Sequence, residues 1–383
     1  MKKKFEYNGF EQGPIRPPSE ANSLLIRVTR NCPWNKCRFC PVYKGTRFEK
    51  RPLAHVIEDI DKVSFFIDRI KNLSGGDIIT GETVRLIGKD LDNNDINALH
   101  AALNWISSGM ESVFLQDANS LILKTSDIVA ILDHIRKRFP FVKRITSYAR
   151  SATIAKKSDE EMNKIALAGL NRIHIGMESG SDNVLKMVEK GADKDTHIIA
   201  GKKVKKAGIS LSEYIMPGLG GKKYSKEHAL ETADALNHIN PDFIRIRTLA
   251  VPENIPLFED MTLGKFEKIT DIECAEELRL LIKNLNGINS FLKSDHILNL
   301  FEDLQGKLPD DKDSMLEKLD SFFELSDQDR MIYQLGRRIG LFRGVSDMKN
   351  TFRYKKAADS AEKLKITPEN ADHLISELMK RFI

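Results

Sequence analysis

Three cysteines lie within nine residues of each other, and their spacing is the strongest chemical signal in the chain. Cys32, Cys37 and Cys40 follow the pattern C-x4-C-x2-C. Three thiolates from one loop suit an iron–sulfur cluster, whereas a structural zinc ion would need a fourth ligand. The fourth cysteine, Cys274, is distant in sequence, and no histidine precedes His55. The sequence therefore predicts a [4Fe–4S] cluster with one iron left open to a chelating cofactor. A zinc site is the alternative.

The composition is typical of a soluble globular protein. The chain has 383 residues, of which 41% are apolar and 30% are charged. No apolar run approaches the roughly 20 residues that cross a bilayer. The basic first residues are not followed by an apolar signal core, so we expect a cytoplasmic protein without membrane partners. Because the cysteines are few and the chain is long, a disulfide scaffold is disfavoured.

The charge of the chain is nearly balanced. Its 60 basic and 55 acidic residues leave a net charge of +5. This small excess gives weak support for an anionic substrate, and the dispersed charges argue against a nucleic-acid partner.

Short apolar runs alternate with longer amphipathic segments through the first two thirds of the chain. The runs predict six strands, at residues 23–29, 112–116, 144–148, 172–176, 210–216 and 243–249. Strands that alternate with helices indicate parallel crossovers and an α/β fold. The cysteine loop directly follows the first strand, at the carboxyl end where active sites of such folds form.

The same pattern suggests how the chain is divided. Residues 1–21 contain two proline-rich breaks and are predicted to be an irregular lead-in. Residues 22–252 hold the strand–helix repeat, and residues 74–110 interrupt it as an insertion. Residues 253–383 are predicted to form a smaller, mainly helical C-terminal region.

The cysteine loop and its position resemble the radical S-adenosylmethionine superfamily. Phe39, just before the last cysteine, matches the habit of that family, although the usual spacing there is C-x3-C-x2-C. The chain is most similar to the branch with oxygen-independent coproporphyrinogen oxidase, the Elongator catalytic subunit and the methylthiotransferases. The resemblance covers about residues 22–250 and implies a partial (β/α)6 TIM-like barrel with a smaller α-helical C-terminal region.

Two further segments near the ends of predicted strands resemble motifs of the same superfamily. After the fourth strand, a turn with Glu178, Ser179 and Gly180 resembles the branch's Gly-x-(Glu/Gln)-Ser-Gly-Ser motif, which implies contacts to the methionine or ribose of the cofactor. After the fifth strand, Glu213 matches the acidic residue that holds the ribose. Met216 lies in the turn that follows, which would present backbone groups to the adenine. A helix cap and a flexible loop are the plain alternatives.

Three other polar residues are candidate cofactor ligands. Asp117 stands where the family has a glycine-rich turn at the methionine amino group, but the glycines are missing here. Arg150 follows the third strand and could pair with a carboxylate. Arg245 and Arg247 share one face of the sixth strand, and if they point inward they need an anionic cofactor group or substrate. A polar turn and surface charges are the alternatives.

Beyond the sixth strand, one histidine stands out. His296 follows Asp295 and precedes Asn299, so it could act in proton transfer or substrate binding, or be structural.

The resemblance implies a complete reaction scheme. The open iron of the cluster would chelate S-adenosylmethionine, and a flavodoxin or ferredoxin would supply one electron. Reductive cleavage would release methionine and a 5′-deoxyadenosyl radical, which would abstract hydrogen from an unidentified substrate. The enzyme would be oxygen-sensitive, and oxidoreductase, lyase and transferase chemistry all stay open. A non-catalytic iron–sulfur module, a zinc-binding module and a tRNA-modifying radical enzyme are the competing hypotheses.

Overall fold

The computed structural model describes residues 6–75, 79–89 and 91–379, and these residues form two compact units. The first unit comprises the described parts of Met1–Asn35, Val42–Ile175 and Lys203–Ser210. The second comprises the described parts of Lys36–Pro41, Gly176–Lys202 and Leu211–Ile383. No described helix is long and apolar enough to cross a membrane.

The first unit is built on parallel strands covered by helices. Its strands are β1 (Leu24–Arg27), β2 (Thr29–Arg30), β3 (Glu49–Lys50), β4 (Ser112–Gln116), β5 (Arg144–Ala149) and the start of β6 (Arg172–Glu178). Its helices are α1 (Leu53–Ser74), α2 (Gly81–Gly88), α3 (Asn93–Ser107), α4 (Thr125–Arg138), α5 (Ser151–Ile154) and α6 (Asp159–Leu167). Strands β1, β4, β5 and β6 pair in parallel in that order. The residues of β4 are all buried, as expected for a strand with both faces covered.

The second unit continues the alternation and adds the C-terminal helices. The chain enters it along β6 and then forms α7 (Asp182–Met187), α8 (Lys194–Lys206), β7 (Ser210–Ile215), α9 (Gly221–Ile239), β8 (Phe243–Ile246), α10 (Pro256–Thr262) and α11 (Asp271–Lys283). The end of α8 and the first residue of β7 belong to the first unit. There follow β9 (Phe291–Lys293), β10 (Gln305–Lys307), α12 (Lys312–Phe323), α13 (Asp327–Arg338), α14 (Thr351–Lys363) and α15 (Ala371–Met379). Strands β7, β8 and β9 pair in parallel, and β10 pairs antiparallel to β9.

The α/β prediction is confirmed, and all six predicted strands are present. The sixth ends at Ile246, three residues earlier than predicted. Beyond that point Arg247 and Leu249 still donate backbone hydrogen bonds, to Ile215 (3.0 Å) and Pro217 (2.9 Å), but without a regular ladder.

Two elements differ from the sequence-based expectation. The region after residue 252 is mainly helical, yet it contains the short strands β9 and β10, because Phe291 and Leu292 extend the apolar edge of β8. The expected interruption at residues 74–110 contains α2 and α3. Helix α1 ends at Ser74, and Gly75 after it has a left-handed φ of 61°. Residues 76–78 and 90 of this segment lie outside the described residues.

Candidate cofactor site

Asp117, the first residue after β4, is the centre of a hydrogen-bond network in the first unit. Its side chain is fully buried. One carboxylate oxygen accepts hydrogen bonds from the Arg27 guanidinium (2.8 and 3.0 Å) and from the backbone N–H of Asn31 (3.0 Å), and the other accepts from the Tyr43 hydroxyl (3.1 Å). Gly13 leaves room for this carboxylate, because a Cβ there would lie 2.1 Å from Asp117 Oδ1. Asp117 therefore fixes the chain on either side of the cysteine loop.

The start of the cysteine loop is shaped by two asparagines. Asn31 and Asn35 have φ angles of 66° and 46°, a left-handed conformation that asparagine tolerates better than most residues. The Asn35 side chain donates to the Tyr43 carbonyl (2.5 Å), and its backbone N–H points to Cys32 Sγ at 3.5 Å. An N–H directed at sulfur is the kind of contact that supports a cluster-bound thiolate.

Arg150 also reaches the cysteine loop. Its guanidinium lies over the ring of Trp34, 4.9 Å from the centroid. Its backbone N–H donates to the Asn119 side chain at 3.1 Å. In the first unit, Arg150 thus holds the loop through a cation–π contact, and the carboxylate-pairing role predicted from sequence stays a prediction.

The Asp117 network predicts a specific defect. Asp117→Ala should lower the free energy of unfolding by about 3 kcal/mol, because it leaves the Arg27 charge half-buried and without its main partner. It should also sharply reduce the iron bound after anaerobic reconstitution, since the loop loses its anchor at Asn31. Iron content and thermal unfolding measure the two effects, with exposed Asp133→Ala as the matched control. Normal iron content in Asp117→Ala would contradict this role.

Cys37 and Cys40 lie on a tight turn in the second unit. The backbone N–H of Cys40 donates to the Cys37 carbonyl at 3.4 Å. Both cysteines are half-buried against an apolar cluster. That cluster includes Phe39, Met216, Leu219, Val184, Val188 and Leu249. The two thiols thus have an apolar floor that limits access of water, and Met216 belongs to that floor.

Arg38 fastens this turn to its surroundings. Its backbone N–H donates to the Val188 carbonyl, and its own carbonyl accepts from Leu257, both at 3.0 Å. Its guanidinium pairs with Asp260 (2.6 Å) and Glu189 (3.3 Å). The turn is therefore held by the ends of α7 and α10.

A pair of opposite charges lies beside the same turn. Lys190 Nζ contacts Glu178 Oε1 at 3.0 Å and lies 5.6 Å from the centroid of the Phe39 ring. Glu178 itself adopts a left-handed φ of 65°, which is costly for any residue with a side chain; such strained residues cluster at functional sites. A Cβ at position 176 would lie 2.1 Å from Glu178 Oε1, so Gly176 is required for this arrangement.

Glu213 is the most unusual residue of the site. Its side chain is fully buried in β7, and neither carboxylate oxygen has a hydrogen-bond partner among the described residues. Burial, with the nearby negative charge of Glu178, raises the pKa of Glu213 well above its ordinary value of 4.5, and Lys190 opposes this rise. A buried acceptor without donors is costly, and a ligand with hydroxyl or ammonium donors would supply them.

Ser179 and Gly180 have partners within the protein. The Ser179 hydroxyl contacts His228 Nδ1 at 2.8 Å, and the Gly180 N–H donates to Thr232 Oγ1 at 2.9 Å. A Cβ at Gly180 would lie 2.3 Å from the Glu231 carbonyl oxygen. These contacts explain both residue types by close packing on α9, and a cofactor role for them stays a prediction.

Arg245 is buried and paired with Asp295 at 2.6 Å. The sequence left open whether its partner would be a cofactor, a substrate or water, and the partner found is a carboxylate of the chain. Its Nε has no partner in the part of the chain that the structure describes.

Each unit carries thiols of the kind that bind an iron–sulfur cluster. Cys32 has an N–H directed at its sulfur in the first unit, and Cys37 and Cys40 sit on an apolar floor in the second. No group of three His, Cys, Asp or Glu residues close enough for a metal ion occurs among the described residues. Joint ligation of one cluster by the three cysteines therefore stays a prediction.

Sequence reasoning missed Lys190 and Tyr43. Lys190 follows the short helix α7 in a run of charged residues, and only its spatial approach to Glu178 distinguishes it. Tyr43 lies three residues beyond the last cysteine of the motif. The role of its buried hydroxyl is visible only from its hydrogen bond to Asp117.

Comparison with known proteins shows which family this chain resembles. A family model described as the Radical SAM superfamily matches residues 26–234, which is more than half of the chain. The chain is 23% identical over 295 residues to the tRNA uridine(34) acetyltransferase of Methanocaldococcus jannaschii, covering 69% of this chain and 49% of that protein. It is 27% identical over 245 residues to the heme chaperone HemW of Buchnera aphidicola, covering 62% and 52%.

Among solved structures, coproporphyrinogen III oxidase (HemN) from Escherichia coli aligns with a TM-score of 0.45 and 15% identity, covering 69% of this chain and 52% of that one. The chain thus spans about half the length of these relatives.

Proposed function

The chain belongs to the radical SAM superfamily, and from that premise we propose that it cleaves S-adenosylmethionine reductively to act on a further substrate. Members of this superfamily are enzymes that bind a [4Fe–4S] cluster and S-adenosylmethionine. Cys32, Cys37 and Cys40 would hold the cluster. When bound, the reduced cluster would supply the electron that breaks the cofactor into methionine and a 5′-deoxyadenosyl radical.

One observation carries the proposal: Glu213 is a fully buried carboxylate with two unpartnered oxygens beside the Glu178–Lys190 pair. Hydroxyl groups of a ribose would satisfy it without adding charge to the site. Lys190 limits the repulsion between the two carboxylates, because its ammonium lies against Glu178. The apolar residues around Phe39 exclude water from the same region.

The cofactor reaction can be tested directly. The protein is reconstituted anaerobically with iron and sulfide, reduced with dithionite and incubated with S-adenosylmethionine. We expect brown protein that releases 5′-deoxyadenosine and methionine only when reductant is present, as measured by mass spectrometry. Colourless protein with one zinc ion would favour the zinc module. Brown protein without 5′-deoxyadenosine would favour the non-catalytic iron–sulfur module.

The partners follow from the same chemistry. We propose a flavodoxin or ferredoxin as electron donor, an anionic small molecule as substrate and the reducing cytoplasm as the compartment, since free thiols persist there. The type of reaction that follows radical formation is open among oxidation, elimination and group transfer.

A tRNA substrate is the second candidate, because one relative is named a tRNA uridine(34) acetyltransferase. The balanced charge of the chain is weak support for a small substrate instead. Binding of tRNA that weakens steeply with salt would favour the nucleic acid, since phosphate contacts release counterions.

A further inference from the structure

The turn after β9 is fastened to the end of β8 by one side chain. Asn299 accepts hydrogen bonds from the backbone N–H (2.9 Å) and hydroxyl (3.0 Å) of Thr248, and its amide donates to the Ile246 carbonyl (2.8 Å) and to Ser294 Oγ (2.9 Å). All four bonding positions of this buried amide are thereby used. Asn299 thus fixes residues 294–299 against the carboxyl end of β8.

Two further sets of contacts hold the same turn. Arg245 of β8 pairs with Asp295 at 2.6 Å. From α13, Arg337 donates to the carbonyl of Asn299 (3.1 Å), and Arg338 donates to that of Leu298 (2.8 Å). Because the turn is bound on its strand side and on its helix side, its remaining polar groups are held in place before any ligand arrives.

His296 is the group that this turn presents. The backbone N–H of Leu298 donates to His296 Nδ1 at 3.3 Å, so in the neutral ring the proton is on Nε2. Nε2 has no hydrogen-bond partner among the residues that the structure describes. The His296 ring is therefore held in place, and its Nε2–H is available to donate a hydrogen bond to a ligand.

Arg247 brings a positive charge to this turn, because the next residue, Thr248, is bonded to Asn299 through its backbone N–H and its hydroxyl. Arg247 leaves the end of β8, is exposed, and forms no ion pair with any described residue. Burial, and next the charge of Arg247, lower the pKa of His296 to about 4, while Asp295 opposes this. Of the other cations at this turn, Arg245 of β8 and Lys293 of β9 lie 2.6 and 3.8 Å from Asp295. Arg337 and Arg338 of α13 bind backbone carbonyls of the turn.

We propose that Arg247 and His296 form a binding site for an anionic oxygen group, a carboxylate or a phosphate, of the substrate. The guanidinium supplies charge and paired donors, and the imidazole Nε2–H supplies a third donor from a rigid turn. Its location at the carboxyl end of parallel strands is where substrates of such folds bind. That the ligand is the substrate rests on the proposed function, but the binding of an anion does not.

The test uses the full-length reconstituted protein labelled with ¹⁵N at histidine. The nitrogen chemical shifts of His296, assigned with His296→Gln, report its tautomer and its pKa. Inorganic phosphate and acetate are titrated separately, with chloride at equal ionic strength as reference. An anion held between the two residues should raise the pKa of His296 by about one unit, because it favours the imidazolium. Comparison of the two probes distinguishes a phosphate site from a carboxylate site.

Two variants separate this site from general charge effects. Arg247→Met should remove the response to phosphate and acetate, and since Arg247 is exposed the fold should be kept. Lys293→Met removes an already paired charge next to the same turn and should leave the response intact. An equal response to chloride, an unchanged response in Arg247→Met, or a proton on Nδ1 at neutral pH would each overturn the proposal. None of these results depends on 5′-deoxyadenosine formation, so the proposed function can fail or hold separately.

Discussion

Glu213→Leu is expected to stabilise the ligand-free protein while it abolishes binding of S-adenosylmethionine. The wild-type carboxylate is buried without a hydrogen-bond donor, so an apolar side chain of similar size should raise the free energy of unfolding by about 1–3 kcal/mol. The same change removes the acceptor proposed for the ribose, which should weaken binding by about a hundredfold. Thermal unfolding and equilibrium dialysis with labelled cofactor measure the two quantities.

The pH dependence gives an independent check on Glu213. Its pKa in the folded protein is raised above the ordinary value of 4.5, so between the two values the folded state holds a proton that the unfolded state has lost. The contribution of Glu213 to stability should therefore be fully present below about 4.5 and be lost as the pH rises through the folded pKa. Glu213→Gln should lack this decline, whereas Glu276→Gln, at an exposed position of α11, should keep it. Identical pH profiles for wild type and Glu213→Gln would contradict the raised pKa.

Serine at any one of Cys32, Cys37 and Cys40 should eliminate the cluster. A four-iron cluster with only two protein thiolates is not retained through purification, so iron content and 5′-deoxyadenosine formation should both fall by at least about a hundredfold. Visible absorbance, iron and sulfide analysis and product formation measure the loss.

Cys274→Ser is the matched control for these variants. Burial raises the pKa of the Cys274 thiol well above its ordinary value, and the charges of Glu277 and Asp271 add to the rise. A thiol held in this state is a poor metal ligand, so the variant should keep its iron and its activity. Retention of iron in Cys32→Ser with loss in Cys274→Ser would show that the ligand set is wrong.

Periodicity in the sequence predicted the parallel strands well, because each strand is a short apolar run between amphipathic helices. It missed β9 and β10, which are three residues each: β9 pairs with the apolar edge of β8, and β10 pairs with β9. A pairing that depends on a distant neighbour leaves little local signal.

The site was predictable where a motif marks it and not where side chains meet in space. Glu213 was recognised from its likeness to a family pattern, but its burial without donors is visible only in three dimensions. Arg245 was expected to need an anionic partner if it pointed inward. That partner is Asp295, which lies 50 residues further along the chain, and no sequence pattern links the two. Lys190 belongs to no recognisable motif, because its contact with Glu178 depends on the path of the chain after α7.

Two glycines, one in each unit, determine where a negative charge lies although they carry no charge themselves. The carboxylates of Asp117 and Glu178 occupy the space that a methyl group would fill at Gly13 and Gly176, each 2.1 Å from the position of an added Cβ. The electrostatic field around each of these carboxylates therefore depends on an uncharged position as directly as on the acid itself. In protein redesign, or in the drift of natural sequences, a single methyl group at either position would redirect a negative charge while every ionisable residue stayed the same.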